Sequence, residues 1–320
     1  MSKKQLGSIM LLFCIAAILV AGGWPADAGD LAPPPGPVTP TMRTMQELYD
    51  NLQSLQAGVA NARTAVQSLP GSGTATHVID QPGSYFLAGN ITGESGKHGI
   101  QINAQNVTLD LNGFALVGVP GSLDGIHIPG GSGLNINISN GTIRNWSGDG
   151  VDAGTGDSSP QAIFLEGLRA VQNAGDGLAT GSEVVVIGCR AALNMGGGIA
   201  VEGGSIVRDC VCRDNGGDGI LATNDCWVAG NYVDDHCGSS GIRVIAGNTY
   251  VSNNVIGDVT TGIKVDSPDN LIIQNRVNNS NCGSHVPYDI VSGNAVGQVI
   301  DFTSGGQLGH GITSEMNLSF

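Results

Sequence analysis

The feature that most constrains this chain is a residue pattern that returns every 21 positions. The dipeptide Gly-(Ile/Leu) occurs at Gly177-Leu178, Gly198-Ile199, Gly219-Ile220, Gly241-Ile242 and Gly262-Ile263, at spacings of 21, 21, 22 and 21. A second set, Ala170, Ala191, Cys212, Val233, Ile256 and Val277, keeps step six to eight residues ahead of the glycines. Around both markers apolar and polar residues alternate, as in Gly262-Ile263-Lys264-Val265, which is the periodicity of a strand with one buried face. A unit of this size, made of short strands and Gly/Asn turns, is too small to bury its own apolar face. It must stack on its neighbours, so the repeat predicts a solenoid.

The solenoid type follows from what the repeat contains. It lacks the Leu-x-x-Leu-x-Leu frame of leucine-rich repeats, does not iterate Gly-Gly-x-Gly-x-Asp, and does not fit a hexapeptide period. An all-β, right-handed parallel β-helix of about nine or ten coils fits, with two or three short strands per coil and equivalent residues stacked about 4.8 Å apart. Asn173, Asn194 and Asn215, again 21 apart, then form a ladder in which each amide bonds its copy on the next coil.

Four stretches carry a family resemblance. They are Gln81-Pro82-Gly83-Ser84-Tyr85-Phe86-Leu87, Asn140-Gly141-Thr142-Ile143-Arg144-Asn145-Trp146, the recurring Gly-Asp-Gly-(Ile/Leu/Val), and Gly293-Asn294-Ala295-Val296-Gly297. With them the chain resembles secreted bacterial right-handed parallel β-helix repeat proteins of the pectate-lyase-like superfold, over roughly residues 78–300. The resemblance implies architecture more than chemistry. The group includes polysaccharide lyases, hydrolases and epimerases as well as members without known activity.

The ends of the chain differ from the repeat. Lys3 and Lys4, the apolar run from Ile9 to Val20 and Ala26-Asp27-Ala28 have the three regions of a secretory signal peptide, with cleavage expected after Ala28. The mature protein is expected to be secreted, periplasmic or on the cell surface, with no membrane insertion once the signal is removed. Residues 29–41 are Pro-rich and read as a linker. Residues 42–70 read as a helix, because Met45, Leu48, Leu52, Leu55, Val59, Ala62, Val66 and Leu69 form a heptad seam ended by Pro70-Gly71. That helix either caps the solenoid or, through residues 45–69, forms a coiled coil that makes a homotrimer. The β-helix and its C-terminal cap should occupy residues 77–320.

A net charge of −14 at pH 7 argues against nucleic acid and anionic lipid as partners. Six cysteines lie beyond the signal. Cys189 and Cys210, one coil apart, read as buried thiols, whereas the pairing of Cys212, Cys226, Cys237 and Cys282 is left open.

Three wider early coils, marked by Gly99, Gly125 and Gly150, carry about five extra residues each. Such residues belong in loops, and loops can wall a binding site. Two outward columns could hold chemistry. Directly after the marker run Gln101, His127, Asp152, Ala179, Ala200, Leu221, Arg243 and Lys264. There His127 with Asp152 could act as an acid or base with its orienting carboxylate, and Arg243 with Lys264 could hold a sugar carboxylate. Ahead of the marker, Arg144, Arg169, Arg190 and Arg213 fall on consecutive coils of one face, and their forks suit carboxylates or sulfates. In a lyase, Arg190 or Tyr232 would take the proton α to a uronate carboxyl, with Asp234 and His236 the nearest further titratable groups. The bland alternative for both columns is a solvated face whose charges pair with neighbours.

Asp124, Asp149, Asp176 and Asp218 recur in turns, where Asp caps the turn; calcium between adjacent coils is the alternative. The sequence therefore supports two functions. One is an exported protein that binds, and could cleave or epimerise, an acidic extracellular polysaccharide. The other is a non-catalytic adhesion or spacer protein.

Overall fold

The computed structural model describes residues 45–47, 49–51, 63–130, 134–154, 161–278, 282, 286–301 and 317–319. The chain divides into two units, residues 1–55 and 56–320. In the first, residues 45–47 and 49–51 are helical, and Gln46 donates to Asp50 one turn on. The signal-peptide segment, the linker and most of the heptad seam lie outside the described residues. Among the described residues no helix is long and apolar enough to cross a membrane.

The second unit is a right-handed parallel β-solenoid of about nine turns. Each coil contributes three short strands, exemplified by Val184–Ile187, Arg190–Ala192 and Ile199–Val201. Equivalent strands pair in parallel from coil to coil. The first two positions build one continuous twenty-stranded array, folded along its length into a first and a second sheet, while the third builds a separate ten-stranded sheet. The bend inside the array falls at left-handed residues such as Asn140, Gly167, Gly188, Asp209 and Gly230.

The two sequence markers are the inward positions of the third and second sheets. Ile100, Ile126, Val151, Leu178, Ile199, Ile220, Ile242 and Ile263 are register partners in one buried column. Ala170, Ala191, Cys212, Val233, Ile256 and Val277 form another. Burial of each branched side chain contributes about 1.5–3 kcal/mol, so the stacked columns supply most of the driving force. The marker glycine is required by crowding. A Cβ at Gly150, Gly177 or Gly198 would run into the carbonyl oxygen of the next marker glycine, and none of these three has positive φ.

Three polar ladders fill the corners of the coils. Between the second and third sheets, Asn173 donates its amide N–H and Nδ2 to Asn194 Oδ1, both at 3.0 Å, and Asn194 does the same to Asn215 at 3.0 and 2.9 Å. Between the first and second sheets, Asn231, Asn254, Asn275 and Asn317 repeat this arrangement, and the Cys210 amide donates to Asn231. At the third corner, Thr249, Asn270 and Asn294 accept amide N–H groups from the preceding coil. These bonds satisfy backbone donors that the turns strip from the sheets.

The ends differ from what the sequence pattern suggests. Residues 42–70 are not one helix, because Arg63–Ala65 is a strand paired with Ser84–Phe86 and Val66–Ser68 is a 3-10 turn. The fully buried Val66, with Leu69 packed against the core, closes the interior of the first coil, so these two seam residues face the solenoid. At the other end the winding outlasts the marker. Val286–Ile290 extends the third sheet with Tyr288 opposite Ile263, and Asn317–Ser319 extends the second with Leu318 opposite Arg276. Cys237 and Cys282 form a disulfide with Cα atoms 5.2 Å apart, while Cys189, Cys210, Cys212 and Cys226 are free and buried.

Because Asn194 accepts two bonds and donates Nδ2 to Ala170 O, Asn194→Ala leaves several buried groups unpaired. The expected loss is about 2–4 kcal/mol of unfolding free energy, measured by urea denaturation.

Candidate functional site

The parallel register fixes which outward residues become neighbours. On the second sheet Arg169 pairs with Thr142 on one side and Arg190 on the other, and Arg144 lies opposite Val171. Arg169 and Arg190 are exposed and Arg144 half-buried. Among the described residues none of these three arginines has an ion pair. Two arginines opposite each other on adjacent coils, in a chain of charge −14, set up a local positive field that no ion pair among the described residues cancels.

The other charged residues expected at a site are engaged. Arg213 donates from Nε and Nη2 to Asp235 Oδ2 at 2.8 and 2.6 Å, with Asp214 and Asp234 also within 4 Å. Arg243 donates to Asp266 at 2.8 Å and approaches Asp218, while Lys264 lies 3.7 Å from the same Asp266. The latter pair therefore meets a carboxylate of the protein, where a sugar carboxylate was expected. Tyr232 Oη donates to Asp234 at 3.0 Å. Burial, then that bond and the Asp234 charge, raise the phenol above its ordinary range, so it holds its proton at neutral pH.

His236 corrects the sequence reading outright. It stands 21 residues after Asn215 and is fully buried, occupying the next place in the interior Asn column with Nδ1 3.2 Å from Gly217 O. An inward ladder position cannot present an imidazole to the surface. Arg190 and Tyr232 are separated by the Val211 strand. The four residues expected to be catalytic, Arg190, Tyr232, Asp234 and His236, thus do not converge.

A denser cluster sits on the third sheet in the wide coils. Gln101, His127, Asp152, Ala179, Ala200, Leu221, Arg243 and Lys264 are successive register partners, and His127 Nδ1 lies 2.8 Å from Asp152 Oδ2. His98 joins them, its ring stacked on His127 with centroids 4.2 Å apart and its Nδ1 3.0 Å from Asp124 Oδ2. His98 escapes a search along the marker column because it precedes Gly99. It fills the turn position that Asp124 takes before Gly125, and that homology of position is the signal that could have found it. In the coils that begin at Ile126 and Val151, the extra residues fall between the third-sheet strand and the next first-sheet strand, directly after His127 and Asp152.

The turn aspartates are accounted for by backbone capping. Asp124 Oδ1 accepts the Asp149 amide at 2.7 Å, Asp149 Oδ1 the Asp176 amide at 2.6 Å, and Asp218 Oδ1 the Ser240 amide at 2.8 Å. Burial pushes the Asp149 carboxyl up to about 7 against the opposing Asp176 amide, with the carboxylates of Asp176, Asp124 and Asp152 adding to the rise. The Asp152 hydrogen bond raises His127. At Asp152 burial works upward, but the bonds from His127 and the Gly154 amide hold the carboxyl below its usual range.

The first sheet carries a surface that the sequence reading missed. Phe164, Val185, Ile206, Trp227, Tyr250, Leu271 and Ala295 are register partners on seven successive coils, and Trp227, Leu271 and Ala295 are exposed. The rings of Trp227 and Tyr250 lie 6.4 Å apart, and an open cleft of about 490 Å³ adjoins Tyr250, Leu271, Asp269 and Asn248.

Comparison with known proteins places the architecture. The family described as "Right handed beta helix region" matches residues 124–286, half of the chain. The protein belongs to that family. In structure it is similar to a mannuronan C-5 epimerase A-module of Azotobacter vinelandii, with 15% identity, 83% of this chain and 91% of that one covered, and a TM-score of 0.54. Similarity also extends to a surface adhesin of Streptococcus pneumoniae, at 11% identity, 72% and 75% coverage and a TM-score of 0.37. An α-1,3-glucanase catalytic unit from Streptomyces thermodiastaticus matches at 13% identity, 81% and 68% coverage and a TM-score of 0.25. No curated protein matches in sequence.

Asp149 and His127 make stability depend on pH in the same direction. A carboxyl with a folded value near 7, against about 3.9 unfolded, favours the native state at low pH; that advantage is lost as pH rises from about 4 through about 7. The raised His127 contributes fully below about 6.5 and loses its contribution as pH rises through the folded value. Asp149→Asn keeps an oxygen for the Asp176 amide and removes the buried charge. In chelator-treated protein its melting temperature should exceed that of the wild type by about 2–4 °C at pH 8, with the difference shrinking as pH falls and vanishing at about pH 4.

Proposed function

We propose that this protein is exported and binds an acidic extracellular polysaccharide along the outer face of its second sheet. The observation that carries this reading is the tier of Arg144, Arg169 and Arg190, which has no protein counter-charge among the described residues. Guanidinium forks at the coil spacing of about 4.8 Å can engage carboxylates or sulfates bidentately, and a linear polyanion can run along the solenoid axis contacting several coils. Similarity to a mannuronan epimerase module shows the fold alone, but it is consistent with a surface of this kind.

Processing of that polysaccharide, by cleavage or epimerisation, would need a base for the proton α to the uronate carboxyl. His127, oriented by Asp152, is the better-formed acid–base pair, since Tyr232 is committed to Asp234 and His236 is interior. Among the described residues no base is hydrogen-bonded to these arginines, and that favours a second reading, a non-catalytic adhesion or spacer protein.

Retention on immobilised pectate, alginate and a sulfated glycan at low salt tests the binding. Arg169→Ala and Arg190→Ala should each weaken it roughly tenfold, and salt should weaken it further. Ultraviolet detection of unsaturated uronate and an assay of reducing ends then separate an enzyme from a binder. Absence of retention on every polyanion would remove this reading and leave the spacer.

A further inference from the structure

The wide coils bring together side chains that neither polysaccharide binding nor the fold requires in one place. Three potential ligand atoms converge on the third sheet, from His98, Asp124 and His127, and Asp152 Oδ2 lies 2.8 Å from His127 Nδ1. The His98, Asp124 and His127 atoms all lie within 4.8 Å of one another, and their residues are half-buried. Successive separations are 3.0 Å from His98 to Asp124, 3.8 Å from Asp124 to His127 and 2.8 Å from His127 to Asp152. Donors about 2.1 Å from a common ion are about 3.0 Å apart along an octahedral edge and about 3.4 Å apart along a tetrahedral one. The two Asp124 separations, 3.0 and 3.8 Å, span these edge lengths.

Two further features point to a cation. Each carboxylate uses one oxygen on a backbone amide and turns the other toward the imidazoles: Asp124 Oδ1 accepts the Asp149 N–H at 2.7 Å and Asp152 Oδ1 the Gly154 N–H at 3.0 Å. This is the outer-shell anchoring that holds ligating carboxylates in place. In addition, the Asp124 amide donates to His98 Nδ1 at 3.2 Å, which assigns the lone pair to that nitrogen. The lone pair then stands 3.0 Å from the carboxylate oxygen Asp124 Oδ2. Two acceptors facing each other without a proton repel, and an ion between them converts the repulsion into two bonds.

We infer that His98, Asp124 and His127, with Asp152 held beside His127, form a binding site for a divalent transition-metal ion on the third sheet. Two imidazoles with a carboxylate suit zinc, cobalt, nickel or manganese; calcium and magnesium prefer oxygen donors alone. The site draws on the coil of Asp124 and His127 and on the preceding coil for His98, so a bound ion also clamps two coils where the winding is widest.

The test uses full-length, tag-free protein stripped with chelator and titrated with cobalt(II) alone. A visible ligand-field band that saturates at a single equivalent and is abolished by zinc is expected. His98→Gln and His127→Gln should each weaken cobalt binding by about 100-fold while leaving the circular dichroism unchanged, and Asp258→Asn, in the separate carboxylate cluster with Asp234 and Asp235, should bind as the wild type does. Saturating zinc should raise the wild-type melting temperature and leave that of the double histidine variant where it was. A folded wild-type protein that gives no band and no calorimetric binding would overturn the inference, as would a double histidine variant that binds undiminished.

Discussion

Everything in this molecule depends on coils stacking in parallel register at the strand spacing. Once the backbone of one coil lies about 4.8 Å from the next, every side chain is placed beside the residue one repeat away. Inside, this demands columns of like shape, and Ile126, Val151, Leu178 and Ile199 satisfy it. It also demands that corner positions satisfy the amides that the turns leave unpaired. An amide side chain suits a corner because it accepts from the preceding coil and donates to a carbonyl, as Asn194 does with Asn173 and Ala170. The same stacking excludes any side chain at the marker glycine, where the carbonyl oxygen of the next marker glycine fills the space a Cβ would need.

Register also governs the surface, where it concentrates whatever the sequence repeats. Like charges on adjacent coils repel unless something lies between them. The solenoid mostly supplies that itself: Arg213 meets Asp235, and Arg243 with Lys264 shares Asp266. Such exposed pairs contribute little to stability, but they neutralise the face locally. Arg169 beside Arg190 is the departure from this arrangement, and so are the imidazoles of His98 and His127 stacked over shared carboxylates.

Much of the architecture was legible because a 21-residue period survives in the text. The buried columns, the outward columns and the Asn173 ladder all follow from counting, since a solenoid maps sequence separation directly onto space. What counting could not reach has physical causes. The Asn231 ladder begins in cysteines, at Cys210, so its type changes along the column. His236 continues the first ladder but looks, beside Asp234 and Asp235, like part of a surface cluster. Val66 and Leu69 fit a heptad equally well whether they face another helix or the open end of the solenoid, because both environments reward the same apolar residues. The apolar stripe through Trp227 and Tyr250 was invisible for a different reason. Alternation reveals which residues share a face, but not that an outward face is also apolar by column.

The candidate sites sit on different sheets, and that separation limits what one ligand could do. The arginine tier is on the second sheet, whereas His98, His127 and Asp152 are on the third, beyond the corner of residues 145–150 that carries Trp146 and Asp149. A sugar bound across Arg169 and Arg190 would therefore not be presented to His127 by the same strands. Either a flexible polymer wraps the corner, in which case the wide coils serve as its wall, or the two sites act independently. The composition of the columns favours independence. Past Asp152 the third-sheet column turns to Ala179 and Ala200, so the charged cluster ends in the coils where Arg169 and Arg190 lie. A solenoid can carry separate functions in this way because each sheet is a surface of its own, joined to the others only through the shared core.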